Sequence, residues 1–160
     1  MNSSDGGYHN AFGQFASNIT QEVTTLDPIT IQLDQQEDVG NMEHTIGFDK
    51  GDILIKQSGV YLIIAAPQVG KTSGNRNRWI DFWLRLNQKD VPNSTVRRVL
   101  TDKGEKDVIP LNSVIEVNKD DILNIMMAAE TTDEGIRIEH IEPENQPAIP
   151  SIIITIVQLD

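Results

Sequence analysis

GVYLIIAAPQVGKTSGN, residues Gly59–Asn75, is the stretch on which the reading of this chain turns. A dense apolar run ends in Gly70-Lys71-Thr72, which is how a phosphate-binding loop, G-x-x-x-x-G-K-[ST], also ends. Counting back, the pattern runs from Ala65 to Thr72, with alanine in place of the first glycine. Such a loop must open a helix whose N-terminal N–H groups face the phosphates. The next residues are Ser73-Gly74-Asn75-Arg76-Asn77-Arg78, poor material for a first turn. Then Ile80, Phe82, Leu84 and Leu86 alternate with Asp81, Trp83, Arg85 and Asn87. A period of two is a strand. The stretch therefore reads as a long strand, a flexible hairpin loop over residues 70–77 and a return strand. Lys71, Arg76 and Arg78 make a small basic tip, and they are the candidate ligand-contacting residues. Nucleotide binding through Ala65–Thr72 is the lesser reading.

The same period runs through the rest of the chain. PITIQLD sets Ile29, Ile31 and Leu33 against Thr30, Gln32 and Asp34. STVRRVL, DVIPLNSVIEV, DILNIMMAAE, GIRIEHIE and PSIIITIVQL extend the series, with turn-forming clusters such as NQKDVPN, TDKGEKD and NKDD between them. SGVYLIIAA is denser than simple alternation, as expected of a strand covered on both faces. Short strands punctuated this often predict an all-β fold, a two-sheet antiparallel sandwich. Helical spacing can be forced onto residues 11–24, but Gly13 and the β-branched residues oppose it, so that segment is expected to be an extended first strand. Residues 1–10 read as a flexible N-terminus and residues 11–160 as a single domain.

Charge and composition narrow the function. The chain has 160 residues, with 13 Lys and Arg against 24 Asp and Glu, a formal charge of -11. Nucleic acids and anionic membranes are disfavoured partners. There is no cysteine, which removes disulfides, zinc–thiolate sites and thiol nucleophiles. MNSSDGGYHN carries no apolar core, so no signal peptide is visible, and no apolar run is long enough for a membrane-spanning helix. His9, His44 and His140 show no ligand spacing. The carboxylates of NKDD and TTDEG sit in turns, a setting that suits calcium if any metal binds; no ligands are assigned to it. Trp83 falls on the polar face of its strand and Trp79 at its start. An outward aromatic asks for a partner, either another subunit or a covering loop. Met126, in a stretch apolar on both faces, is a third candidate for a subunit interface, or ordinary core.

Ser58-Gly59-Val60-Tyr61-Leu62-Ile63 resembles the Gly-x-Tyr entry to the long inner strand of the tumour necrosis factor and complement C1q-like jelly rolls. Downstream, DFWLRLNQKDVPNSTV, Asp81–Val96, is similar to that family's strand ending in an asparagine turn. SVIEVNKDDILNIMM, Ser113–Met127, resembles its strand-turn-strand, with Asp120-Asp121 where the family has glycine-aspartate. AIPSIIITIVQLD resembles the closing central strand, and AFGQFASN and PITIQL the first ones. The likeness covers residues 11–160 and is nearest to bacterial, viral or phage members. It implies a jelly roll of about ten strands and a homotrimer about a threefold axis. It further implies a binding or structural role without catalysis, on a cell, spore or virion surface, towards an unknown protein or glycan. The rival from another class is an enzyme on a cupin-like β-scaffold.

Overall fold

The computed structural model describes residues 9–44 and 51–160. The expected flexible N-terminus lies almost wholly outside the described residues. Fifteen strands are present among them, and no helix. In chain order they are β1 (Phe12–Ser17), β2 (Gln21–Glu22), β3 (Ile29–Thr30), β4 (Gln35–Gly40), β5 (Met42–His44), β6 (Ile53–Ile55), β7 (Gly59–Gly70) and β8 (Arg78–Leu86). The rest are β9 (Lys89–Asp90), β10 (Val96–Leu100), β11 (Lys106–Val108), β12 (Leu111–Val117), β13 (Ile122–Ala129), β14 (Arg137–Ile138) and β15 (Ile152–Gln158). The expected all-β class is what the structure shows: two antiparallel sheets, one of eight strands and one of seven. The count exceeds ten because β2, β3, β9 and β14 are two-residue pieces.

β7 organises the first sheet. β12 and then β11 run along one of its edges, and β15 and then β14 along the other. β15 pairs in turn with β1, and β1 with β4, so the first and last long strands are neighbours. The second sheet runs β10-β8-β13-β6-β5. The chain passes from one sheet to the other between β7 and β8, β10 and β11, β12 and β13, and β13 and β14. Such crossing is compatible with a jelly-roll sandwich. DVIPLNSVIEV, one segment in the sequence, is divided into β11 and β12 around Pro110, which has no N–H to give a ladder.

The alternation seen in the sequence fills the space between the sheets. Tyr61, Ile63, Ala65 and Val69 of β7 and Ile152, Ile154 and Ile156 of β15 point inward from the first sheet. Ile80, Phe82 and Leu84 of β8 and Leu123, Ile125 and Met127 of β13 point inward from the second, and all belong to one core. Each of the Val, Leu, Ile, Phe and Met side chains among them contributes about 1.5–3 kcal/mol of burial. The Gly-x-Tyr entry to β7 has a physical reason. The buried Tyr61 donates its hydroxyl to Gln57 O at 2.6 Å. A Cβ on Gly59 would stand 2.4 Å from both Asp160 O and Gln158 Nε2. Buried Gln158 accepts on Oε1 from the Ala11 N–H at 2.7 Å and from Gln57 Nε2 at 2.6 Å. The turn into β7 thus ties the first strand to the last.

Candidate functional site

The segment after β7 is not the hairpin the sequence suggested, because β7 and β8 belong to different sheets, and it is not a free basic tip. Lys71 is 1% exposed. Its Nζ donates to Gly74 O at 2.9 Å and to Thr101 O at 2.8 Å, and lies 3.9 Å from Glu134 Oε2. The loop backbone is pinned as well: the N–H groups of Thr72 and Ser73 both donate to Glu134 O. Gly135 and Gly74 allow this approach. Both have positive φ, and a Cβ on Gly135 would overlap Thr72 Oγ1. Arg78 is half-buried, with Nε 2.6 Å from Glu134 Oε2 and Nη1 3.4 Å from Glu130 Oε2. Of the three basic candidates, only Arg76 is exposed and makes no ion pair among the described residues. A strand enters Gly70 and a loop leaves Thr72 towards β8, with no helix to face a phosphate.

Trp79 and Trp83 lie on the outer side of β8, in the seven-stranded sheet, both half-buried. Arg97 of neighbouring β10 stacks over Trp79, 4.2 Å from its ring centre, and forks onto Asp81 at 2.7 and 2.9 Å. Trp83 Nε1 donates to Asp90 Oδ1 at 2.8 Å. Met126, opposite Trp83 on β13, is 1% exposed in the single chain, with Thr30 Oγ1 3.5 Å from its sulfur. The three interface candidates therefore share one sheet face, and Met126 leaves almost no surface there.

Sequence reasoning missed the opposite face. On the outside of the eight-stranded sheet, Phe12, Val157, Leu62 and Val114 stand side by side across β1, β15, β7 and β12. A second row runs Gln14, Thr155, Ile64 and Asn112, and a third Ala16, Ile153 and Ala66. Val114 is 59% exposed and Phe12 45%. None of these eleven residues is charged, in a chain that is 23% charged. The second row is polar except for Ile64; at its β4 edge it meets Glu37, and Glu116 follows Val114 on β12, so the uncharged field has a charged border at both edges. The signal was in the sequence: strands as uniformly apolar as LIIAA and IIITIV are normally covered on both faces. Here one face of each is open.

The acidic turns are internally engaged. Asp121 accepts from the Asn118 N–H and from Asn87 Nδ2, each at 2.8 Å, and Thr131 Oγ1 donates to Asp133. No group of three or more His, Asp or Glu side chains among the described residues is placed to hold a metal ion. His140 Nε2 lies 3.2 Å from Glu142 Oε1 in the loop before β15. At the far end of β7, Glu139 is buried between Lys106 Nζ at 2.6 Å and Arg137 Nε at 3.0 Å. Burial pushes its carboxyl pKa up, but the hydrogen bonds and charges of Lys106 and Arg137 together outweigh that and hold it below the usual carboxylate value. The sequence matches no protein-family model and no curated protein.

Proposed function

We propose that this chain is a non-enzymatic, homotrimeric jelly-roll module of the tumour necrosis factor and C1q-like kind. It is displayed on a cell, spore or particle surface, in recognition or structural capping. The observation that carries the reading is the open apolar face of β1, β15, β7 and β12. Two of its strands have the composition of strands covered on both sides, and the single chain covers only one. The cover is further copies of the same chain. Copies that each carry a charge of -11 repel one another, so they approach best through a face without charge. A threefold ring needs two different patches on each subunit. Val114 supplies the link, because it ends the apolar row and also borders a side groove with Ile115, Val91 and Pro92. The adjacency of the first and last long strands, with β7 between β15 and β12, supports the same family.

Absolute mass in solution tests this. A trimer weighs about 53 kDa, three times 17.8 kDa. Val157→Asp puts a charge in the centre of the apolar row and is expected to return the mass to that of one chain, while the circular dichroism of a β-sandwich remains. Trp83→Ala, on the other sheet, is the control for the alternative interface. If Val157→Asp stays trimeric and Trp83→Ala does not, the subunits meet through the seven-stranded sheet instead. A wild-type monomer overturns the assembly altogether.

A further inference from the structure

The outer face of the seven-stranded sheet carries a row of another kind. Asn124 of β13 stands opposite Arg85 of β8, and Arg85 opposite Asp90 of β9. On its other side Asn124 Nδ2 donates to Asp52 Oδ1 at 2.7 Å and to Gly51 O at 3.0 Å. Asn124 is 6% exposed, between Leu123 and the apolar run Ile125-Met126-Met127. A buried amide in such a strand is costly unless its groups are bonded. Its nitrogen is satisfied; its Oδ1 accepts no hydrogen bond from the described residues and is reached by solvent. Arg85 spends Nε on Asp90 at 3.0 Å, and its two terminal nitrogens have no partner among the described residues.

These groups line a cleft of about 440 Å³, bounded by Thr30, Asp52, Arg85, Asn87, Ile122 and Asn124. That volume lies within the range of about 300–1,000 Å³ of small-ligand sites. One wall is rigid. Asn87 and Gln88 form the left-handed turn between β8 and β9, at φ 50 and 66°. Asn87 locks that turn to β13, donating from Nδ2 to Asp121 and accepting the Ile122 N–H on Oδ1 at 2.9 Å. A site fixed before binding loses less on binding.

The mixture of groups selects the ligand. Two acceptors (Asp52 and Asn124 Oδ1) and then a donor (the Arg85 guanidinium) stand along one row. A hydroxyl both donates and accepts, and vicinal hydroxyls match such a row. An anion would meet Asp52, Asp90 and the field of a chain at -11. A cation would meet Arg85. Ile122, 36% exposed, adds apolar surface for the C–H face of a ring. We propose that this cleft binds a neutral sugar ring, either free or as the terminal unit of a glycan. This deepens the recognition role and rests on it, but not on the trimer, because the cleft opens on the seven-stranded sheet and of its lining only Asn87 also lines the side groove beside Val114.

The test is a titration of isotope-labelled protein with the methyl glycosides of glucose, galactose, mannose and N-acetylglucosamine, read by backbone amide shifts. Inorganic phosphate and calcium chloride serve as charged probes. At least one glycoside is expected to shift the amides of Arg85, Ile122 and Asn124 saturably. An oligosaccharide ending in that sugar binds more tightly if a glycan is the source, and no more tightly if free sugar is. Asn124→Ala removes the bonds to Gly51 and Asp52 and can unfold the chain. Arg85→Met, on a partly exposed side chain, keeps the fold and is expected to weaken binding about tenfold. The proposal is overturned if no glycoside moves these amides, if only a charged probe does, or if Arg85→Met binds as the wild type does. A trimer that ignores every glycoside sinks the cleft alone; a monomer that binds one sinks the assembly alone.

Discussion

Lys71 is the residue whose surroundings matter most for the reading of the chain. A lysine after a glycine at the end of an apolar strand invites a phosphate, but here its ammonium is consumed by two carbonyls and faces Glu134. It staples the loop after β7 to the loop after β10. Lys71→Met would leave the Gly74 and Thr101 carbonyls without their donor, so it is expected to lose about 2–3 kcal/mol in urea unfolding. Arg76→Ala, on the same loop but exposed, should change stability by no more than about 0.5 kcal/mol. Asp120 behaves oppositely. It is a non-glycine residue at φ 72°, in the turn where the resembled family places glycine, and no side-chain hydrogen bond from the described residues holds it there. Left-handed backbone costs an ordinary residue roughly 1 kcal/mol, partly offset by the greater unfolded freedom of glycine. Asp120→Gly is therefore expected to raise stability by about 0.5 kcal/mol, read as a shifted urea midpoint at unchanged slope. Glu139 sets an acid limit. Its folded pKa is depressed by Lys106 and Arg137 against the opposing effect of burial. Its contribution is then complete above the ordinary carboxylate value of 4.5 and is lost as pH falls through the lower folded value. Glu139→Gln should weaken the protein at neutral pH and flatten its loss of stability in acid; an unchanged acid slope would remove Glu139 from this role.

At the scale of elements, periodicity told most of the story, because a sandwich writes its inner face into every second residue. β7, β8, β12, β13 and β15 all lie where their alternation placed them, and Trp83 is on the outer face of β8 that its alternation implied, with Trp79 on the same face. What could not be read is what depends on contacts between distant residues. Residues 70–77 look flexible locally, since serine, glycine and asparagine dominate them. Their rigidity comes from Glu134, far along the chain, and no local pattern encodes that pairing. The apolar row is similar. Phe12, Leu62, Val114 and Val157 lie on four separate strands, and only the sheet order makes them neighbours. Their strands did announce double coverage, but not which layer would be left open. The polar cleft had one sequence mark, a single asparagine inside LNIMM, which reads as noise until Asp52 and Arg85 are seen on either side of it.

For the whole molecule, charge and apolar surface act against each other, and the balance can be measured. Each chain carries -11 at pH 7, so bringing three together raises a repulsion that acts over the Debye length, about 30 Å at 0.01 M salt and 10 Å at 0.1 M. The uncharged rows have no charge in their eleven positions, and the side groove has Lys89 against Asp90, Glu116 and Asp121, a net negative patch, so salt has mainly repulsion to screen there. Added sodium chloride should therefore tighten the trimer. Dilution followed by sedimentation, at about 0.01 M and again at 0.1 M salt, is expected to show a lower dissociation constant at the higher concentration. An interface built on Arg97, Asp81 and Arg85 of the other sheet would respond with the opposite sign, since screening removes exposed ion pairs. The direction of the salt effect thus reports which layer of the sandwich faces the axis, without any mutation that could disturb the fold.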